Sequence, residues 1–206
     1  MNKITTLLFD MYGVILEESK GNFIPYTFAY FGKSEHERLK RQFKEEQLFT
    51  KAGNGEITSD EFMTMLGYKD TNYHMVDYIE NHLTLDKGFI SFAEKFYKLY
   101  DFVLLSNDVS EWSAYITEHY NLNKYFKYKI VSGDVHCRKP DKRIYELALT
   151  VTNTVANECY FIDNSVNNLQ VAADLGINPI LFNRDNEKYT GTIINSFAEL
   201  EKILDR

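Results

Sequence analysis

The stretch Ile4-Thr5-Thr6-Leu7-Leu8-Phe9-Asp10-Met11-Tyr12-Gly13-Val14 decides how the rest of the chain is read. Residues 4–9 form a short, apolar, β-prone run. A continuous run of this length marks a strand buried on both faces, as in a parallel sheet. It ends on an acid, Asp10, and Gly13 permits the sharp turn that follows. The arrangement recurs further on. Phe102-Val103-Leu104-Leu105 runs into Ser106-Asn107, and Cys159-Tyr160-Phe161-Ile162 runs into Asp163-Asn164. Strand-like runs at 129–131 and 179–182 complete a set of five. Helical patterns at 89–100, 111–119, 143–151, 169–175 and 197–204 alternate with them. Gly176 stops one helix and Ser196 is placed to cap the last. This alternation predicts an α/β fold, a doubly wound, parallel, Rossmann-like sheet of about five strands. Ligands of such sheets bind beyond the carboxyl ends of the strands. Each polar strand end alone could be a turn or a helix cap. Three of them due at one edge predict a site.

Residues 17–84 read differently. The segment is polar, aromatic and helical in period. Ser34-Glu35-His36-Glu37 and Thr58-Ser59-Asp60-Glu61 look like helix starts, and Gly53-Asn54-Gly55 breaks the chain between them. A core of residues 1–16 and 85–206, with a small helical cap domain at 17–84, is the expected organisation.

Composition narrows the function classes. The 206 residues are 44% hydrophobic and 26% charged, enough for a packed core. A net charge of −7 argues against broad nucleic-acid binding, which relies on Lys and Arg. Cys137 and Cys159 make neither a disulfide scaffold nor a zinc site, and reduced thiols suit a cytoplasmic protein. No signal peptide or membrane span is expected. A monomer or homodimer acting on a small molecule is the remaining picture.

The strand ends carry usable chemistry. Asp10 can attack an electrophile to form an acyl-phosphate or ester, or hold a divalent cation. Ser106 and Asn107 can bind a phosphoryl oxygen or a carboxylate, or else cap the next helix, although Asp108 or Ser110 could supply that cap and free Ser106 for another role. Lys139, before Pro140-Asp141, can neutralise the anion formed by nucleophile and substrate, with Arg138 as a competitor for that role. Asp163 with Asp10 and a backbone carbonyl would suit Mg²⁺, although it could simply cap a helix. In the expected cap, Lys20, Arg38, Lys40, Arg41 and Lys44 could read a second anionic group. Their alternation with acids over 35–46 favours a solvated face instead. The histidines show no metal-ligand spacing, and His136 could edge the site.

Taken together, four segments resemble the motifs of the haloacid dehalogenase (HAD) superfamily, in order. They are Leu-Leu-Phe-Asp10-Met-Tyr12-Gly13-Val14, Leu-Leu-Ser106-Asn107, Arg-Lys139-Pro140-Asp141 and Phe-Ile-Asp163-Asn164-Ser-Val-Asn167-Asn168. The resemblance implies that Asp10 is the nucleophile and that Ser106 binds the transferred group. It implies that Lys139 holds nucleophile and intermediate in place. It also implies a Mg²⁺ site built from Asp10, Asp163 and the Tyr12 carbonyl, with Asn164 where phosphatases of the family have a second acid. The expected activity is Mg²⁺-dependent hydrolysis of a small phosphorylated metabolite such as a sugar phosphate.

Tyr12 departs from that pattern. Family phosphatases usually place there a second Asp that protonates the leaving alcohol, and a phenol is a poor base near neutrality. Asp-x-Tyr-Gly resembles the L-2-haloacid dehalogenases, whose halide needs no proton, although Val14 stands where they have Thr. Carbon–halogen hydrolysis and a weakly active or non-catalytic binding member are therefore the alternatives.

Overall fold

The computed structural model describes residues 3–205. Strand β1 (Thr6–Phe9) opens the chain. Helices α1 (Phe23–Tyr30), α2 (His36–Lys44), α3 (Leu48–Gly53), α4 (Ser59–Leu66) and α5 (Thr71–His82) follow. Then come α6 (Lys87–Phe96), β2 (Asp101–Ser106), α7 (Ser110–His119), β3 (Tyr128–Val131), a single turn α8 (Ser132–Val135) and α9 (Lys142–Thr152). The chain closes with β4 (Cys159–Asp163), α10 (Val166–Asp174), β5 (Asn178–Phe182), β6 (Thr192–Ile194) and α11 (Phe197–Leu204).

The strands form one parallel sheet in the order β3-β2-β1-β4-β5-β6. This is the expected doubly wound class, with six strands rather than about five. The additional strand, β6, is three residues long with its first two residues exposed, so it offered no apolar run to read. Side chains alternate between the faces as the strand period demands. Leu7 and Phe9 join one buried cluster while Leu8 joins the other, and Phe102 and Leu104 likewise part from Val103 and Leu105. Both faces of the central strands are covered, which is why β1, β2 and β4 are mostly apolar.

Local chemistry sets several helix ends. Thr58 and Glu61 form a reciprocal capping box at α4. Asp141 and Ser165 accept backbone N–H groups at the starts of α9 and α10. Ser196 stands before α11 as expected, but its side chain makes no capping bond.

The elements between β1 and α6 are all helical. They rest on α7 through aromatic rings. Phe23 lies 4.7 Å from Trp112 and 5.1 Å from Tyr78, and the Trp112 indole donates to Ser59 Oγ at 2.6 Å. The chain leaves and re-enters the sheet side by side. Glu17 N–H donates to the Thr84 carbonyl and Asp86 N–H to that of Ile15, both at 2.9 Å. Arg184 braces this crossing by donating to the carbonyls of Gly13 and Val14 at 3.1 Å and by pairing with Asp86.

Candidate active site

The register puts Asp10 and Asp163 level. Phe9 pairs with Ile162, and the next residue on each strand is an acid. β1 and β4 are neighbours at the point where the strand order reverses, the place where doubly wound sheets bind ligands. Lys139 reaches between the two acids. Its ammonium lies 2.8 Å from Asp10 Oδ1 and 2.8 Å from Asp163 Oδ2, and the residue is 2% exposed. Burial alone would lower the Lys139 pKa, but Asp10 and then Asp163 outweigh it and hold the ammonium above its ordinary value. Burial pushes Asp10 up to about 6, with Lys139 pulling it down and Asp163 pushing it up. At neutral pH Asp10 is therefore mostly ionised beside a fixed cation. Both Met11 N–H and Lys139 engage its Oδ1, which leaves Oδ2 without a protein donor among the described residues.

Asp163 is held from every side. Ser165 N–H donates to Oδ1 at 2.7 Å, Lys139 donates to Oδ2, and the Asn168 amide donates to both oxygens at 3.2 and 3.1 Å. It is 0% exposed and does not line the cavity above the strand ends. Both of its oxygens accept from protein donors, and the two acids expected to share a cation meet on Lys139. The following residue, Asn164, does line the cavity, and its amide donates to the Ser19 carbonyl at 3.3 Å. Gly13 makes room for that amide. Its φ is +77°, and a Cβ there would fall 2.3 Å from Asn164 Nδ2.

Motif two is divided in role. The Asn107 side chain clasps the Lys139 backbone, accepting its N–H and donating to its carbonyl, each at 2.8 Å. The same residue lines the cavity, so it both positions Lys139 and faces the space where a substrate would sit. Ser106 is fully buried and, like Asp163, is not among the cavity-lining residues; its hydroxyl has no hydrogen-bond partner among the described residues. A buried hydroxyl left unpaired is costly enough to point to a use.

The residue after this pair was missed. Asp108 lines the cavity at 5% exposure. Its Oδ1 accepts Val109 N–H at 2.8 Å and the Tyr12 hydroxyl at 3.3 Å, while its Oδ2 is buried without a partner. Burial, with repulsion from Asp10 and Asp134, pushes Asp108 up to about 8 against those two bonds. Burial thus favours the protonated form of this acid near neutral pH. Tyr12 is driven further above its usual range, by burial first and by Asp108 next. No pattern in the sequence separates Asp108 from the helix cap it was read as. Asn168 was quoted within motif four without a role. Its place in the first turn of α10, on the face toward Asp163, was the available signal.

The cavity measures about 280 Å³, the scale of a small metabolite. Asp10, Tyr12, Asp108, Lys139 and Asn164 line its floor. Lys20, Phe49, Thr50 and Gly53, from the helical segment and its leading linker, line it too, with Tyr78 and Arg138. The other cations named in the helical segment do not line it, in keeping with the solvated face their alternation favours: Arg38 pairs with Glu35, Lys40 with Glu37 and Arg41 with Glu46, and Lys44 is exposed. His136 binds the Asn54 carbonyl and is not part of the lining.

Mg²⁺ takes hard oxygen ligands, often one or two carboxylates with the rest from substrate phosphate and water. The cavity offers one open carboxylate oxygen on Asp10 and the amide oxygen of Asn164. No group of three or more His, Cys, Asp or Glu suited to a metal occurs among the described residues. This donor set fits a cation shared with a bound phosphate better than one held by the protein alone. No helix among the described residues is long and apolar enough to cross a membrane.

Known proteins resemble this chain over most of its length. A D-ribitol-5-phosphate phosphatase of Bacteroides thetaiotaomicron is 23% identical over 188 residues, 84% of this chain and 89% of the relative. A HAD family enzyme from the same organism, solved in complex with magnesium and inorganic phosphate, superposes with a TM-score of 0.74 at 20% identity, over 91% of this chain and 98% of that one. A solved dehalogenase gives a TM-score of 0.73 at 21% identity, over 100% and 99%. The family model of haloacid dehalogenase-like hydrolases matches residues 4–176. With its motifs gathered at one edge of a doubly wound sheet, the chain belongs to the haloacid dehalogenase-like hydrolases.

Proposed function

We propose that this hydrolase is a phosphatase of small phosphorylated metabolites, a sugar phosphate being the type, with Asp10 as its covalent nucleophile. The observation that carries the reading is Lys139, buried and clamped between Asp10 and Asp163 at the switch point of the sheet. A fixed ammonium there keeps Asp10 ionised and offsets the charge that gathers as a phosphoryl group arrives. Asp10 Oδ2 attacks phosphorus, and the bond from phosphorus to the ester oxygen breaks. The departing oxygen takes a proton. Water then attacks the phosphorus of the aspartyl phosphate, loses its proton, and releases inorganic phosphate and free Asp10.

Asp108 is assigned the proton. It lines the same cavity, bonds to Tyr12, and is pushed by burial toward its protonated form, so it can donate to the leaving oxygen and recover the proton from water. It thus stands in for the acid that Tyr12 replaces. Ser106 supplies its free hydroxyl to the phosphoryl group. Asp163, Asn107 and Asn168 position Lys139. Mg²⁺ would be held by Asp10 and Asn164, with the Tyr12 carbonyl as the family resemblance implies, and when bound it adds positive charge at the transferring phosphoryl group. Residues 17–84 are read as a cap over a core of 1–16 and 85–206, supported by the paired linkers at 15–17 and 84–86.

The test is release of phosphate from a panel of sugar phosphates and aryl phosphates, with and without Mg²⁺, against Asp10→Asn. Release no greater than that control ends the proposal. A second reading rests on Tyr12: hydrolysis of a carbon–halogen bond, whose halide needs no acid. Chloride set free from 2-chloropropionate in the presence of chelator would support it, and a flat trace would remove it.

A further inference from the structure

Arg138 is a cation with nothing assigned to it. Lys139, its neighbour, is bound by two carboxylates and by Asn107. Arg138 also lines the cavity and is half-buried, yet among the described residues its guanidinium has no hydrogen bond and no ion pair. It reaches toward the helical segment, where one terminal nitrogen would lie 3.9 Å from a Cβ on Gly53. Burial without a counter-charge lowers its pKa. Five planar donors left idle in a partly dry site are costly, and they match the fork of a carboxylate or phosphate. Lys20 stands on the same cavity wall. The carboxylates that share the cavity do not pair with this charge: Asp10 is engaged by Lys139, and Asp108 accepts from the Val109 N–H and the Tyr12 hydroxyl.

We infer that Arg138 binds a second anionic group on the substrate, so that the preferred esters carry a carboxylate or another phosphate besides the one transferred. This rests on the phosphatase reading and deepens it. Arg138 would be a specificity-determining residue, fixed by the loop that carries Lys139 and facing α3, so that reacting end and recognised end are set by adjacent residues.

The experiment compares 2-phosphoglycolate with 2-hydroxyethyl phosphate, esters of similar size that differ in the second charge, and adds ethane-1,2-diyl bisphosphate as the phosphate-bearing arm. Steady-state kcat/KM is measured for the wild-type chain, Arg138→Gln and Arg138→Lys. Binding of the same probes to Asp10→Asn, with and without Arg138→Gln, is measured by calorimetry, which needs no turnover. The wild-type chain should favour the charged esters by about 10–100-fold, the worth of a charge-assisted bidentate contact. Arg138→Gln should bring that ratio near one, chiefly through KM, and Arg138→Lys should restore part of it. Whichever charged arm loses more identifies the second group. A charge preference in binding that Arg138→Gln abolishes upholds the inference even where turnover is absent and the phosphatase reading has failed. Equal affinity for charged and neutral esters, or no binding of either, overturns it, as does a preference that survives Arg138→Gln.

Discussion

The strand-end residues at and beneath the cavity floor form two sides that differ in how completely their polar atoms are paired. On one side, Lys139 joins Asp10 to Asp163, Asn168 and Ser165 close the remaining contacts of Asp163, and Asn107 clasps the Lys139 backbone. On the other, Ser106 Oγ and Asp108 Oδ2 are buried with no partner, and Tyr12 reaches Asp108 by a bond of 3.3 Å. The first side is a finished scaffold that holds charge in place without substrate. The second is incomplete until something enters. Truncating the finished side should therefore cost stability as well as rate, and truncating the unfinished side should cost rate alone.

The largest effect is expected at the junction of the two. Asp10→Asn should lower phosphate release by roughly 10⁴-fold or more, as removal of a covalent nucleophile does. Lys139→Met should follow. It leaves two buried carboxylates facing each other, a loss of about 3–5 kcal/mol in urea unfolding, together with a rate loss of about 10²–10³-fold. A stable and active Lys139→Met would break the comparison at its firmest point.

Asp108→Asn sharpens the contrast. It should unfold at nearly the wild-type denaturant concentration yet lose about 10²–10⁴-fold on alkyl phosphates, and less on aryl phosphates, whose leaving groups need no proton. The pH profile follows from the same residues. Asp10 must be ionised, so the rate should rise as pH climbs through about 6. Asp108 must keep its proton, so the rate should fall as pH passes about 8. In Asp108→Asn the falling limb should vanish while the rising limb stays. A falling limb that persists in that variant would assign the proton elsewhere.

The smallest effects make the cleanest pair. Asn168→Ala, on the finished side, should cost about 1–3 kcal/mol in stability because it strips donors from a fully buried carboxylate. Ser106→Ala, on the unfinished side, removes a hydroxyl that bonds to nothing and should leave stability within about 0.5 kcal/mol while raising KM for phosphate esters. The reverse ordering in unfolding midpoints would undo the distinction.

The finished side was largely legible in the sequence, since strand ends, a turn glycine and a lysine before proline are chain-local signals. Their roles were less so. Asp163 and Asn164 are adjacent, and only the pleat of β4 decides which one turns inward to Lys139 and which toward the cavity. The grip of Asn107 on the Lys139 backbone spans 32 positions of chain, beyond the reach of any local pattern. Asp108 was hidden by resemblance to an ordinary cap, its importance arising from burial and an empty oxygen that no pattern records. The sixth strand was too short and too exposed to show an apolar run. The idle guanidinium of Arg138 is likewise a fact about neighbours, visible only once the acids around it are seen to be engaged elsewhere.

The most direct measurement is a rapid-quench of the wild-type chain during turnover of a phosphate ester, followed by peptide mapping. A phosphoryl group should appear on the peptide bearing Asp10, at a level that rises in Asp108→Asn as hydrolysis of the intermediate slows. Turnover with no such adduct, or an Asp10→Asn chain that releases phosphate at the wild-type rate, would contradict a covalent role for Asp10.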